Sequence, residues 1–135
     1  MACTLEPTAL IFLYVTRSLA LGAKDRDDLA GELDRHFGQA SGMLLAHHYA
    51  FLRLIALAAP RRLRLHRPGC PCLGADETQI LSIMGAFERD DAKSGLKRLA
   101  DLIGPDITGQ MLDLARDLSL LYARPDTSHQ SDTIH

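Results

Sequence analysis

The chain has 135 residues, of which 47% are hydrophobic, 24% charged and 5% aromatic, and its formal net charge is -2. A chain of this composition can bury a core of its own, and its near-neutral charge excludes a generally basic surface for nucleic acid. Its 24 leucines and 17 alanines far outnumber its single valine, seven isoleucines and seven threonines. Because straight-chain residues favour helices and β-branched residues favour sheets, we predict an all-α fold, a compact bundle of about six helices.

A single helical domain is predicted over residues 1–123, and a disordered tail over residues 124–135, which are polar and lack periodic apolar positions. The first helix is predicted from about Leu5 to Leu21. Pro7 suits its first turn, and Gly22 supplies a left-handed stop. The face predicted to be buried comprises Leu10, Ile11, Phe12, Leu13 and Tyr14.

The second and third helices are predicted to meet near Gly38. The second begins near Asp25, and Gly38 closes it. Its apolar residues recur every four positions, at Leu29, Leu33 and Phe37. A long third helix opens at Gly38 and Gly42 and ends at Pro60.

The third helix is the most apolar part of the chain. Residues 40–59 carry only His47, His48 and Arg53 as strongly polar side chains, so the segment is long enough to span a membrane. A central arginine is costly in lipid, however, and a helix that is apolar on nearly every face is typical of the centre of a bundle or of a dimer. We therefore predict a long central apolar helix and no membrane span.

The chain changes character after Pro60. Residues 62–66 alternate between polar and apolar side chains, which predicts a short extended piece. The loop 67–74 that follows is rich in cysteine, proline and glycine, and its two prolines and two glycines exclude a helix.

Three more helices are predicted after this loop. The fourth is capped by Asp76, with Gln79 as its capping-box partner. The fifth begins near Asp91 and the sixth at about Asp106. The residues of the third to sixth helices that we predict to be buried are Leu45, Leu52, Ile55, Ile83, Met84, Phe87, Met111 and Leu118.

His66, Cys70 and Cys72 form the one constellation suited to metal chemistry. Imidazole and thiolate are ligands that zinc prefers, but structural zinc needs four of them. The fourth would have to come from His47, His48, Cys3 or a second subunit. The alternative is that two small, apolar cysteines fix a tight loop against the core. Elemental analysis of protein purified without chelator distinguishes the two readings.

The cysteines also indicate the compartment. Cys3, Cys70 and Cys72 cannot all pair within one chain, and a bridge between Cys70 and Cys72 would be strained. The first six residues lack the basic region of a secretory signal. We therefore predict a reducing, cytoplasmic environment.

Positive charge is concentrated in one run of arginines, namely Arg53, Arg61, Arg62, Arg64 and Arg67. Such a run suits phosphates or an acidic partner, or it is a solvated edge that pairs with nearby carboxylates. The candidate carboxylates are Asp25, Asp27, Asp28 and Asp90. No aromatic residue is interleaved to stack on bases, so we predict no nucleic-acid binding.

The sequence contains none of the common catalytic motifs: no Gly-x-Ser-x-Gly, no glycine-rich phosphate loop, no His-Glu-x-x-His and no Glu-x-x-His pair. His47 and His48 point about 100° apart on a helix, so they cannot serve one ligand set from the same face. We predict one histidine in the core and one at a helix interface, and we do not expect an enzyme.

The order of these parts resembles a family of small uncharacterised helical proteins from alphaproteobacteria, sphingomonads among them. The resemblance covers roughly the first two-thirds of the chain. It rests on Ala20-Leu21-Gly22-Ala23, on His36-Phe37-Gly38, on the long third helix, and on the loop from Pro68 to Cys72 with Ala75-Asp76-Glu77 after it. The family carries a run of adjacent cysteines where this chain has Cys70-Pro71-Cys72. The resemblance implies a helical fold and no particular activity.

Together these patterns predict a cytoplasmic, non-enzymatic interaction or regulatory module with a protein partner still to be identified. Its simplest form is a homodimer built on the third helix, because a helix that is apolar on every face must be covered on every side. The residues predicted to lie in the interface are Gly38, Gly42, His47, His48 and Arg53. No cofactor is expected. The alternative function is a zinc-binding or redox-sensing protein centred on Cys70, Cys72 and His66.

Overall fold

Helices make up the regular structure of the computed structural model, which describes residues 7–22 and 26–123. There is no β-strand within these ranges, and the all-α prediction is confirmed. The helices are α1 (Pro7–Leu21), α2 (Arg26–Phe37), α3 (Ser41–Ala58), α4 (Ala75–Glu88), α5 (Ala92–Ile103) and α6 (Gly109–Ala123). A 3-10 turn, Gly38–Ala40, joins α2 to α3 without a loop, so the described helices form five separate segments. The predicted tail 124–135 lies outside the described residues.

The chain turns between α2 and α3 at Gly38. Its φ of 59° lies in the left-handed region that glycine adopts without strain, and the predicted stop of the second helix is confirmed. The third helix begins at Ser41 rather than at Gly38, and the Ser41 hydroxyl donates a hydrogen bond to Asp34 Oδ1 of α2. It ends at Ala58, because the residue before Pro60 is extended.

The central helix α3 contacts α1, α2 and α6. Its buried face consists of Leu44, His48, Phe51 and Ile55. Of the α3 residues predicted to be buried, Ile55 is buried, whereas Leu45 and Leu52 are only partly buried and the positions just before them, Leu44 and Phe51, lie in the core. A helix that is apolar nearly all round has no unique phase of its own, and the neighbouring helices decide it. The remaining predicted core residues are buried, namely Ile55, Ile83, Met84, Phe87, Met111 and Leu118.

The helix α1 departs from its predicted face for a related reason. Leu10 and Tyr14 are exposed, whereas the predicted Phe12 and Leu13 are buried. The buried face continues through Val15, Thr16, Arg17, Ser18 and Leu19. Apolar periodicity does not detect a buried face that includes polar and charged side chains. Of these, Thr16 contacts His48 of α3 and Arg17 contacts Glu77 of α4.

The later helices begin at polar caps. Asp91 Oδ1 accepts the Ser94 N–H at 3.1 Å, so the predicted start of the fifth helix is confirmed. The sixth helix begins at Gly109, later than predicted, and Thr108 Oγ1 accepts the Met111 N–H at 3.2 Å. These caps fix where α5 and α6 leave the loops that precede them.

Two neighbouring helices, α4 and α5, approach each other closely at Gly95. A Cβ atom added at Gly95 would lie 2.6 Å from Cε2 of Phe87, well inside van der Waals contact. The ring of Phe87 therefore rests directly on the backbone of α5. A glycine in the first turns of a helix is explained here by packing, since alanine is the better helix former.

We expect Gly95→Ala to destabilise the protein by about 1–3 kcal/mol, because the new methyl group would overlap the Phe87 ring. Gly31→Ala is the matched control: it lies within α2, no atom lies within 4 Å of its added Cβ, and alanine should stabilise the helix by about 1 kcal/mol. Urea unfolding of both variants measures the two effects. Stabilisation by both substitutions would contradict the close packing of α4 on α5.

Candidate functional site

Two adjacent carboxylates at the start of α4 hold the long connection between α3 and α4. Asp76 accepts two hydrogen bonds from Arg61, at 2.8 Å from Nη1 and 2.6 Å from Nη2, and a third from the backbone N–H of Arg64 at 2.8 Å. The Arg61 hydrogen bonds and the Arg64 N–H together lower the pKa of Asp76, although burial opposes them. Residues 61–64, which form no helix and no strand, are thereby fixed against the start of α4.

Glu77 pairs with Arg17 of α1 in the interior. The side chain of Arg17 is 3% exposed and that of Glu77 is 0% exposed. Arg17 Nε lies 2.7 Å from Glu77 Oε2, and Nη2 lies 2.9 Å from Oε1. Each carboxylate oxygen also accepts a backbone N–H at 3.0 Å, from Gly74 at Oε1 and from His66 at Oε2. We call this ion pair the Arg17–Glu77 clamp.

The remaining donors of Arg17 bind backbone carbonyls of the loop. Nη1 donates to Arg67 at 3.3 Å and to Cys70 at 2.8 Å, and Nη2 donates to Cys72 at 2.6 Å. All five guanidinium N–H groups are thus engaged, which is the condition for burying an arginine without a large penalty. The hydrogen bond to Glu77 raises the pKa of Arg17. Burial alone would raise the pKa of Glu77, but the hydrogen bonds from Arg17, Gly74 and His66 outweigh it and lower the pKa.

The clamp changes the predicted start of the fourth helix. Asp76 is not its cap and Gln79 is not a capping-box partner. The helix begins at Ala75 after Gly74, and Glu77 reaches back to the Gly74 N–H. Asp76 is instead occupied by Arg61 from the preceding segment. Local spacing alone could not reveal either long-range partner.

The three candidate zinc ligands contribute to this region mainly through their backbone. Cys70 is partly buried, Cys72 and His66 are exposed, and the two cysteines are free thiols. The clamp binds the Cys70 and Cys72 carbonyls and the His66 N–H. Over residues 7–22 and 26–123, no three or more His, Cys, Asp or Glu side chains are grouped so that they could hold a metal ion. The zinc alternative remains a prediction.

A second closed polar cluster lies deeper in the core, around His48. His48 Nε2 lies 2.8 Å from Thr16 Oγ1, and His48 Nδ1 lies 2.6 Å from Tyr122 Oη. Phe12 stacks on the imidazole with ring centroids 4.5 Å apart. The cluster joins α1, α3 and α6, and burial lowers the pKa of His48 to about 3 and raises that of Tyr122. The imidazole is therefore neutral and acts as one donor and one acceptor.

The predicted interface residues have different positions. His48 is fully buried within one chain, where Thr16 and Tyr122 contact its ring, and its predicted place in an interface between copies stays a prediction. His47 Nδ1 bonds the Met43 carbonyl at 2.8 Å on its own helix. Gly42 and Arg53 are exposed, and Gly38 lies at the turn before α3.

A face of α3 opposite its buried side is left uncovered by the other described helices. Met43 is 58% exposed and Leu57 is 73% exposed. We define the outer face of α3 as Gly42, Met43, Ala46, Tyr49, Ala50, Arg53 and Leu57, which share one side of the helix. It contains no acidic residue and a single cation, Arg53. Met43 and Leu57 lie toward the two ends of this face, and Tyr49, which is 39% exposed, lies between them.

The same region meets the test for a membrane helix by length and composition. In the described part of the chain, the continuous stretch Leu29–Ala58 spans 30 residues and is apolar enough to cross a bilayer, with 33% of its most apolar window buried. The core helix of a soluble bundle passes this test too. Our prediction of no membrane span is compatible with the packing of α3 against three other helices.

A groove of about 490 Å³ lies beside this face, between the end of α1, the second half of α3 and the connecting segment 62–67. We call it the basic groove. Its apolar lining includes Leu19, Leu21, Leu52, Ala56, Leu63 and Leu65, and its polar lining includes Arg17, Tyr49, Arg53, Arg62, His66 and Arg67. Of the predicted arginine run, Arg61 pairs with Asp76. No described carboxylate forms an ion pair with the others. The side chains of Asp25, Asp27 and Asp28 lie outside the described part, and Asp90 pairs with none of them.

Sequence reasoning missed Arg17, Glu77, Thr16 and Tyr122, the residues that organise the interior. One signal was present: Arg17 is the only charged residue in the apolar helix Pro7–Leu21. A lone arginine on an apolar helix needs an acidic partner. The partner itself, 60 residues along the chain, could not be identified from spacing.

Comparison of the chain with models of known protein families, with curated proteins and with solved structures finds no match. These comparisons do not bear on the resemblance to the alphaproteobacterial helical family, which stays a prediction. The function must therefore be argued from the geometry alone.

We expect Glu77→Gln to destabilise the protein by about 3–5 kcal/mol, because it leaves Arg17 buried without its counter-ion. Glu88→Gln, at the exposed end of the same helix, is the matched control and should change stability by less than about 0.5 kcal/mol. Folding lowers the pKa of Glu77. The contribution of Glu77 to the free energy of unfolding is therefore complete above the ordinary pKa of 4.5 and is lost as the pH falls below that value. Equal stability of both variants at pH 7 would contradict the clamp.

Burial of His48 should also make the free energy of unfolding decrease as the pH falls, over a pH range above that of Glu77. The unfolded chain binds a proton below its ordinary pKa of 6.5, whereas the folded chain does so only near 3. The free energy of unfolding should therefore decrease from pH 6.5 downward, by up to about 1.4 kcal/mol per pH unit from this group. NMR of the His48 ring tests the cause directly: the resonance should not titrate between pH 5 and 8, and a titration midpoint above 5 would contradict the buried cluster.

Proposed function

We propose that the protein is a non-enzymatic interaction module that acts as a homodimer, with the outer face of α3 packed against the same face of a second copy. The observation that carries the proposal is the exposure of Met43 and Leu57 on a helix whose other side forms the core. Covering these side chains removes apolar surface from water, the main driving force of association.

The sizes of the side chains favour a second copy as the partner. An antiparallel pairing centred between Tyr49 and Ala50 sets Leu57 of one copy beside Gly42 of the other. At Gly42 no atom lies within 4 Å of an added Cβ, so there is open space for a large side chain. The same pairing sets Arg53 beside Ala46 and Tyr49 beside Ala50. Large residues thus oppose small ones throughout, as a two-fold interface requires.

The charge on this face is compatible with the same pairing. Arg53 is its only charged residue, and the antiparallel arrangement offsets the two copies of Arg53 by about 10 Å along the helix axis. The long arginine side chain reaches water at the edge of a helix pair while its stem covers apolar surface. The like charges are therefore not brought into contact.

The complete hydrogen bonding of the buried side chains supports a role in binding rather than in catalysis. In the described residues, every buried side-chain nitrogen and oxygen has a hydrogen-bond partner. The buried ionisable groups among the described residues are Arg17, His48, Asp76, Glu77 and Tyr122, and each of them binds another side chain or the backbone. Groups that are saturated in this way stabilise the fold. No contact among the described residues favours the zinc or redox alternative.

Sedimentation velocity at tens of micromolar tests the dimer. The unmodified protein should sediment as a dimer and Leu57→Glu as a monomer, because the substitution puts a charge into the apolar contact. Leu96→Glu is the matched control: Leu96 is 42% exposed on α5, away from the outer face, and its substitution should leave the dimer intact. A strict monomer for the unmodified protein, or equal loss of dimer in both variants, would contradict the proposal.

A further inference from the structure

The basic groove combines an apolar floor with positively charged walls. Leucines from three parts of the chain form the floor, for example Leu19 of α1, Leu52 of α3 and Leu63 of the connecting segment 62–67. Arg53, Arg62 and Arg67 border it, and none of the described residues that line it is acidic. A cavity of about 490 Å³ lies within the range of about 300–1,000 Å³ that is usual for small-molecule sites.

The arginines around the groove differ in whether other described groups already occupy their guanidinium donors. Arg17 lines the groove, but all its donors are taken by the clamp, so it contributes structure only. Arg53, Arg62 and Arg67 form no ion pair with a described carboxylate. As far as the described residues are concerned, their guanidinium groups remain available for charge-assisted hydrogen bonds to an anion.

The groove wall that carries Arg62 and Arg67 is preformed. Arg64 and His66, between them, bind Asp76 and Glu77 through their backbone N–H groups, and the carbonyl of Arg67 accepts from Arg17. Because these three backbone hydrogen bonds already fix the segment 62–67, it does not have to become ordered before its side chains can bind a ligand. A ligand consequently meets a low entropic cost on the protein side.

We propose that the basic groove binds a small amphipathic anion, a molecule with a single apolar chain and a carboxylate or phosphate head. The apolar chain lies along the leucine floor, and the head group meets Arg62 and Arg67 at the rim. An apolar lining selects for the chain, while the excess of positive charge selects the sign of the head group. Tyr49 and Arg53 line the groove and also belong to the outer face of α3, whereas Arg62 and Arg67 lie outside α3, so the head-group contacts can be tested separately from the homodimer.

Isothermal titration calorimetry with decanoate and with decyl phosphate, each below its micelle concentration, tests the site. At least one of them should bind, and the comparison shows whether a carboxylate or a phosphate head is preferred. Decanol and decyltrimethylammonium share the chain but lack the negative charge, and they should bind at least about tenfold more weakly. Failure of both anions to bind at concentrations up to about 1 mM, or equal binding of the uncharged or cationic compound, would overturn the proposal.

The double variant R62Q/R67Q should weaken anion binding by at least about tenfold, and raising the salt concentration should weaken it in the unmodified protein. R98Q/R116Q removes the same charge from exposed positions on α5 and α6 and is the matched control. Leu57→Glu should bind the anion with unchanged affinity, which separates this site from the dimer contact. Equal affinity of the two double variants would overturn the assignment to the groove.

Discussion

The buried ion pair between Arg17 and Glu77 is the interaction on which the rest of the structure depends. A charge taken out of water is tolerated only when its counter-ion and all its hydrogen bonds are supplied. Here the two side chains require three carbonyls and two amides from the connection between α3 and α4. That requirement gives residues 66–74 a definite course, although they form no helix and no strand.

The fixed connection in turn determines which surfaces stay open. Because residues 61–67 are bound to the start of α4, they run past the second half of α3 and form one wall of the basic groove without closing over it. The outer face of α3 is left to water for a different reason, because α1, α2 and α6 occupy the other sides of that helix. The clamp thereby shapes the basic groove, and helix packing determines the outer face.

Features set by local chemistry could be predicted from the sequence. The all-α class follows from composition, and the start of α5 follows from the capping residue Asp91. The end of α2 follows from Gly38, because glycine adopts the positive φ found there without strain. The buried face of α3 could not be predicted, because apolar residues surround this helix. The burial of His48 depends on hydrogen bonds to Thr16 and Tyr122, which lie on other helices. The clamp was missed because its partners are separated by 60 residues, a distance that motif spacing does not cover.

Amide hydrogen exchange at His66 and Gly74, measured by NMR on the unmodified protein, tests the clamp most directly. Both amides lie outside any helix, and both donate to the buried carboxylate of Glu77 at 3.0 Å. The account predicts that they exchange as slowly as the amides of the core helices, because they open only when the domain unfolds. Exchange at the rate of an unstructured peptide would contradict it.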